Sequence, residues 1–163
     1  PTPLGLLKTE GLGAVQSMFT AQGNFIGMIP GCVGEVSAAA LLLGAIYMMI
    51  RKVITWEIPV FFLGTLAIFT GIFWMVDSAT YADPLFHLVS GGAILGACFM
   101  ATDMVTSPMT RKGQMIFGFG CGLITGIIRL FGGYPEGVAF AILLMNATVP
   151  LIDRYTEVKK FGV

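Results

Sequence analysis

Five apolar runs, each nearly free of charge and parted by short polar loops, are what this sequence has to fold around. They extend from about Gly34 to Ile50, Ile58 to Val76, Pro84 to Ala101, Gln114 to Phe131 and Glu136 to Leu151. A helix crosses a hydrocarbon core of ~30 Å with about 20 apolar residues. Lipid offers no water to main-chain N–H and C=O groups, so a helix, which pairs them internally, is the form such a run takes. The runs are slightly short for a full crossing. Either their ends extend into the neighbouring residues, or some helices are broken inside the membrane. Composition points the same way: 11% of residues are charged, against about 25% in a soluble domain. The expected fold is an all-α polytopic membrane protein with about five transmembrane helices.

Residues 1–29 read differently. Pro1 to Glu10 is a mixed lead-in, and Gly11 to Met28 alternates Gly, Ala, Met and Phe with almost no charge. This stretch is expected to lie on or dip into the extracytoplasmic face, leaving 30–163 as the five-helix transmembrane domain. The chain opens on Pro1 rather than Met, which suggests a piece of a longer protein. A net charge of zero and the lack of a basic block argue against nucleic acid as a partner. Cys32, Cys98 and Cys121 are widely spaced, and they read as buried apolar thiols rather than metal ligands.

The loops orient the spans. Arg51 and Lys52, then Arg111 and Lys112, then Arg154, Lys159 and Lys160 all fall on one side. The positive-inside rule makes that side cytoplasmic. Residue 36 is then outside and the C-terminus inside. Glycine spacing speaks to packing. Gly92 and Gly96 form one GxxxG pair, and Gly118, Gly122 and Gly126 form a longer stripe. Small residues let helices approach closely in lipid, and a ligand path beside such a face is the alternative. Ser90-Gly91-Gly92 interrupts the third run and predicts a kink or break.

Several residues could carry chemistry. In Pro30-Gly31-Cys32-Val33-Gly34-Glu35-Val36-Ser37 a tight bend leads into a helix. Its free N–H groups and positive dipole end could seat a phosphate. The plain alternative is a loop capped by Glu35 or Ser37. His87, the only histidine, sits near the outer end of the third run. It either hydrogen-bonds a neighbour or takes a ligand or proton. Asp103, beside Thr102 and Thr106, could meet a hard cation or pair with Arg111 or Lys112. Arg129 and Glu136 flank a short loop and suggest an ion pair across it. No Walker loop, zincin motif or nucleophile–base pair is present.

Taken together, these stretches resemble the membrane flavoprotein subunit of two respiratory complexes, the RnfD/NqrB family. The residues that carry the resemblance are Gly31 to Ser37, His87 to Gly92, Met100 to Asp103 with Ser107-Pro108, Ile128-Arg129, Gly132 to Gly137, Leu144 to Asn146, and Pro150 to Tyr155. They are closer to RnfD than to NqrB, notably in Gly132-Gly133-Tyr134-Pro135-Glu136-Gly137, and they match the C-terminal half of that subunit.

The resemblance implies a ten-helix fold in two five-helix halves, similar to urea transporters, of which this chain would be one half. It implies FMN held through a phosphoester to a threonine in a Gly-Glu-Thr-Ser motif, with riboflavin as a second flavin. That motif falls on Gly34, Glu35, Val36 and Ser37, and Val36 has no hydroxyl with which to form the ester. The implied setting is a bacterial or archaeal cell (inner) membrane. The implied partners are the other subunits of an Rnf- or Nqr-type complex, including an extracytoplasmic flavoprotein, together with the lipid bilayer. The implied task is coupling electron transfer to Na⁺ or H⁺ movement, with Asp103 and His87 as candidates for the ion path. The chain would not be catalytic alone. The competing expectation is a urea-channel-like solute channel or transporter without redox chemistry.

Overall fold

A computed structural model of the chain describes residues 3–11, 13, 37–78 and 80–156. Gly34, Glu35 and Val36 lie outside the described residues, as does Cys32. All regular structure among those described is helical: α1 (Pro3–Glu10), α2 (Ala38–Ile50), α3 (Glu57–Val76), α4 (Pro84–Val89), α5 (Ala93–Leu95) continuing into a π turn (Gly96–Met100), α6 (Arg111–Phe131) and α7 (Val138–Thr156). The all-α polytopic expectation holds.

Three of these helices, α3, α6 and α7, are long and apolar enough to cross a membrane, at 20, 21 and 19 residues. The first expected span begins as the 13-residue α2, roughly 20 Å at ~1.5 Å per residue. The third is broken at Ser90-Gly91-Gly92, as the glycine pair predicts. Helix ends follow local caps. Ser37 caps α2 by accepting from the Ala40 N–H at 3.3 Å. Asp83 accepts from the Leu85 N–H at 3.0 Å, with Pro84 at the first position of α4. Thr110 accepts from the Gly113 N–H at 3.0 Å, so α6 starts three residues before the expected Gln114.

One core joins four of the five expected spans. Ile58, Phe62 and Leu66 of α3 meet Phe117 and Cys121 of α6, Ala93 and Ala97 of the broken helix, and Val138 and Ile142 of α7. A second cluster sets Ala38 and Ala45 of α2 against Ile94 and Cys98. Large apolar side chains such as Leu43, Ile68, Met75 and Leu143 point outward, which matches lipid as the surrounding solvent. A groove of about 410 Å³ on this outer side, between α3 and α6, is walled by Val60, Gly64, Ile68, Phe119 and Leu123 among others. Such walls suit hydrocarbon rather than a charged ligand.

The glycine stripe of α6 is a packing face. A Cβ at Gly122 would strike the Phe62 carbonyl oxygen and come within 2.9 Å of the Thr65 Cβ; one at Gly118 would lie 2.8 Å from the Ile58 carbonyl oxygen. The two carbonyl oxygens are main chain and cannot turn away. Gly122→Ala is therefore expected to push α6 off α3 and destabilise the bundle by about 1–3 kcal/mol. Gly64→Ala, where nothing lies within 4 Å, is expected to be neutral or slightly stabilising through helix propensity. Denaturant titration in detergent micelles checks both, and equal effects would refute the packing argument.

Candidate functional site

The break in the third span, not a helix terminus, is where the described polar side chains converge. α4 ends at Val89 with Ser90 as its cap, and Gly91 adopts a φ of +69°, a left-handed conformation that glycine takes without steric cost. The turn leaves carbonyl oxygens inside the protein without the helical N–H partners of an unbroken ladder. Arg129, near the end of α6 and 4% exposed, enters this gap. Its Nη1 donates to the His87 carbonyl oxygen, its Nη2 to the Ser90 carbonyl oxygen at 3.3 Å, and its Nε to the Glu136 carbonyl oxygen at 3.1 Å. The planar guanidinium fork thus ties together α4, the break and the loop before α7. The expected ion pair with the Glu136 side chain is replaced by this bond to its main chain.

α1 closes over the same place. A Cβ on Gly91 would lie 2.6 Å from the Leu4 Cδ1 and 3.1 Å from the Arg129 Nη2, so only glycine lets the three elements meet. Lys8 of α1 donates to the carbonyl oxygens of Tyr134 at 2.5 Å, Ile128 at 3.4 Å, and Gly132. These acceptors are the last turn of α6 and the loop after it, where a cation also meets the negative end of the dipole. Partial burial there lowers the Lys8 ammonium pKa from its ordinary value. No hydrophobic period marks Lys8 in the sequence. The available signal is a lone lysine in a lead-in and a helix end marked by Gly132-Gly133.

His87 points into this region and is 1% exposed. Neither imidazole nitrogen has a hydrogen-bond partner among the described residues. The ring therefore does not bond a neighbour; its main-chain carbonyl does, through Arg129. Asp103 is far along the chain at the opposite end of the bundle, in the exposed turn that follows the π turn. Its carboxylate accepts from the Thr106 Oγ1 at 3.3 Å and the Val105 N–H at 3.5 Å. It does not pair with Arg111, which lies 3.7 Å from the Glu57 Oε1. The structure does not bring His87 and Asp103 together. Of the four residues on the flavin motif, Ser37 alone is described, and its hydroxyl oxygen is engaged in capping α2.

That opposite end has a polar vein of its own. Thr55 Oγ1 donates to the Gln114 Oε1 at 3.0 Å, and Gln114 Nε2 to the Pro108 carbonyl oxygen at 3.1 Å. The Met109 N–H donates to the Asp153 Oδ1 at 3.2 Å, and the hydroxyls of Thr110 and Thr156 are 2.7 Å apart. Arg51, Lys52, Arg111 and Lys112 lie at this basic end by chain order.

Comparison with known proteins places this architecture. A profile of the NQR2, RnfD, RnfE family matches residues 1–162. The chain is 49% identical to a subunit of the proton-translocating ferredoxin:NAD(+) oxidoreductase complex of Clostridium ljungdahlii, over 99% of this chain and 50% of that protein. It is also 49% identical to the corresponding subunit of the Na(+)-translocating ferredoxin:NAD(+) oxidoreductase complex of Acetobacterium woodii, over 99% of this chain and 48% of that protein. Identity is 44% with its counterpart in the ion-translocating oxidoreductase complex of Stutzerimonas stutzeri, over 99% of this chain and 47% of that protein. The chain thus spans about half the length of the curated relatives it matches. With a family profile covered almost end to end by a multi-pass helical chain, the chain belongs to the NQR2, RnfD, RnfE family.

Proposed function

We propose that this chain is part of the RnfD-type subunit of an Rnf complex, which passes electrons from ferredoxin to NAD⁺ and moves Na⁺ or H⁺ across the membrane. The observation that carries the reading is the 49% identity, along 99% of this chain, with two relatives named for the same component of such complexes. The same names favour the redox reading over a solute channel. The interrupted third span adds physical support, since non-helical main chain at membrane depth occurs where it is enclosed by protein or lines a cavity. The Lys/Arg count supports an orientation with the Arg51 and Arg111 end in the cytoplasm and residue 36 outside, and the membrane proposed is a bacterial or archaeal inner membrane. An extracytoplasmic flavoprotein subunit is the partner proposed for that outer face.

FMN is the proposed cofactor, with riboflavin as a second flavin. When bound, a flavin supplies one- and two-electron transfer. The described residues fit a phosphate seated at the N-terminus of α2, where first-turn N–H groups are unpaired within the helix. They fit Ser37 poorly as an attachment point, because its oxygen caps Ala40. Gly34, Glu35 and Val36 complete the proposed seat.

The test uses inverted membrane vesicles carrying the whole complex. Reduced ferredoxin and NAD⁺ are added, and uptake of radioactive sodium and of protons is followed. The two equally similar relatives are named for different cations, so both are measured. Expected is cation uptake that requires both ferredoxin oxidation and the gene for this chain. Passive solute flux through the purified protein, with ferredoxin-to-NAD⁺ electron transfer unchanged on deletion, would overturn the reading in favour of a channel.

A further inference from the structure

Glu57 opens α3 at the basic end and is 2% exposed. A carboxylate in the first turn of a membrane helix ordinarily reaches headgroup water and complements the dipole. This one turns inward. Its Oε2 is buried without a hydrogen-bond partner among the described residues, while its Oε1 lies 3.7 Å from the Arg111 Nε. Arg111 is the weak half of the pair, with a side chain 85% exposed and a single contact through Nε rather than the two-pronged fork.

The neighbouring polar groups do not serve the orphaned oxygen. Thr55 donates its hydroxyl to the Gln114 Oε1, and Gln114 donates through Nε2 to the Pro108 carbonyl oxygen. Among the charged residues of the adjoining segments, Asp103 accepts from Thr106 in its own turn, Asp153 accepts from Met109, and Lys112 is exposed. A tether of this kind adds little to the fold, because an exposed partner contributes little and a buried carboxylate is costly to desolvate. Glutamine would serve packing at least as well. What a buried carboxylate with one free oxygen and a loosely held arginine offers is exchange: the arginine can leave for solvent when another cation arrives.

We propose that Glu57 is a binding site for the transported monovalent cation, with Arg111 as the displaceable counter-charge that occupies it between turnovers. The proposal rests on the ion-translocating reading of the chain. The bound cation is a proton or sodium, and the experiment separates the two.

The whole complex is used in vesicles. The first measurement is the number of cations moved per NADH formed. Glu57→Gln is expected to bring this ratio close to zero, because an amide carries no charge to hold Na⁺ and does not exchange a proton at neutral pH. The second is labelling of Glu57 by dicyclohexylcarbodiimide, which attacks protonated carboxyls in apolar surroundings, read by peptide mass. Arg111→Gln, a change at an exposed side chain, is expected to raise that labelling severalfold. This arm stands even if Glu57→Gln fails to assemble. Suppression of labelling by Na⁺ at fixed pH identifies sodium as the cation; labelling that ignores Na⁺ and falls as pH rises identifies the proton. An unchanged cation-to-electron ratio in Glu57→Gln overturns the proposal, as does wild-type labelling in Arg111→Gln. If the unaltered complex moves no cation, the translocation reading itself fails and takes this site with it.

Discussion

Replacing Arg129 with methionine is expected to cost the bundle about 3–5 kcal/mol, the largest single-residue loss anticipated here. The side chain donates to the His87, Ser90 and Glu136 carbonyl oxygens, acceptors that belong to main chain. Methionine fills much of the same volume but leaves these acceptors without that donor inside an apolar shell. Lysine keeps the charge yet has one ammonium where the guanidinium has a fork, so Arg129→Lys is expected to fall between the two. Lys112→Gln, at an exposed side chain, is the surface control and is expected within about 0.5 kcal/mol of the unaltered protein. Denaturant titration in micelles ranks the variants. Stability of Arg129→Met equal to that of the control would show that the break does not depend on this residue.

The second large effect is qualitative. On the proposed flavin reading, Val36→Thr is expected to create a covalently flavinylated chain where the unaltered one carries no covalent flavin. Valine and threonine have nearly the same shape, and the exchange introduces the hydroxyl that a phosphoester needs. The protein carrying this chain is co-expressed with a flavin-transferring enzyme, run on a denaturing gel under ultraviolet light, and weighed intact. A fluorescent band and an FMN-sized mass gain with threonine alone would support attachment at position 36. Fluorescence with valine in place would point to another residue. Ser37 would then be tested first, although its oxygen already caps the Ala40 N–H. No flavin in either form, with a positive control labelled, would count against the motif as a flavin site.

Much of the frame was legible because it depends on runs of residue type. The long apolar stretches mark α3, α6 and α7, Ser90-Gly91-Gly92 marks the break, and the Gly118, Gly122 and Gly126 stripe marks the face that meets α3. What was missed depends on main-chain atoms or on partners distant in sequence. Arg129 invites pairing with the Glu136 carboxylate because side chains are what a sequence displays; the carbonyls that claim it become available only once α4 stops. Glu57 stands just before the second apolar run, where the sequence gives no sign of burial; its inward partner, Arg111 at the start of α6, comes fifty-four residues later. Asp103 invites a cation or an arginine, and its own loop takes it first.

The π turn at Gly96–Met100 has a consequence for how this chain tolerates change in length. There the Ala101 N–H reaches back five residues to the Gly96 carbonyl oxygen, at 2.7 Å, instead of four. The turn therefore holds one residue more than a regular coil needs. Deleting a residue from α3 or α6 would rotate everything beyond it by about 100° and swing core side chains toward lipid. Deleting one between Gly96 and Met100 lets the ladder close as an ordinary α-helix with the flanking segments still in phase. Among the described helical segments, this is the place where a one-residue gap between homologous sequences can be absorbed without moving the core.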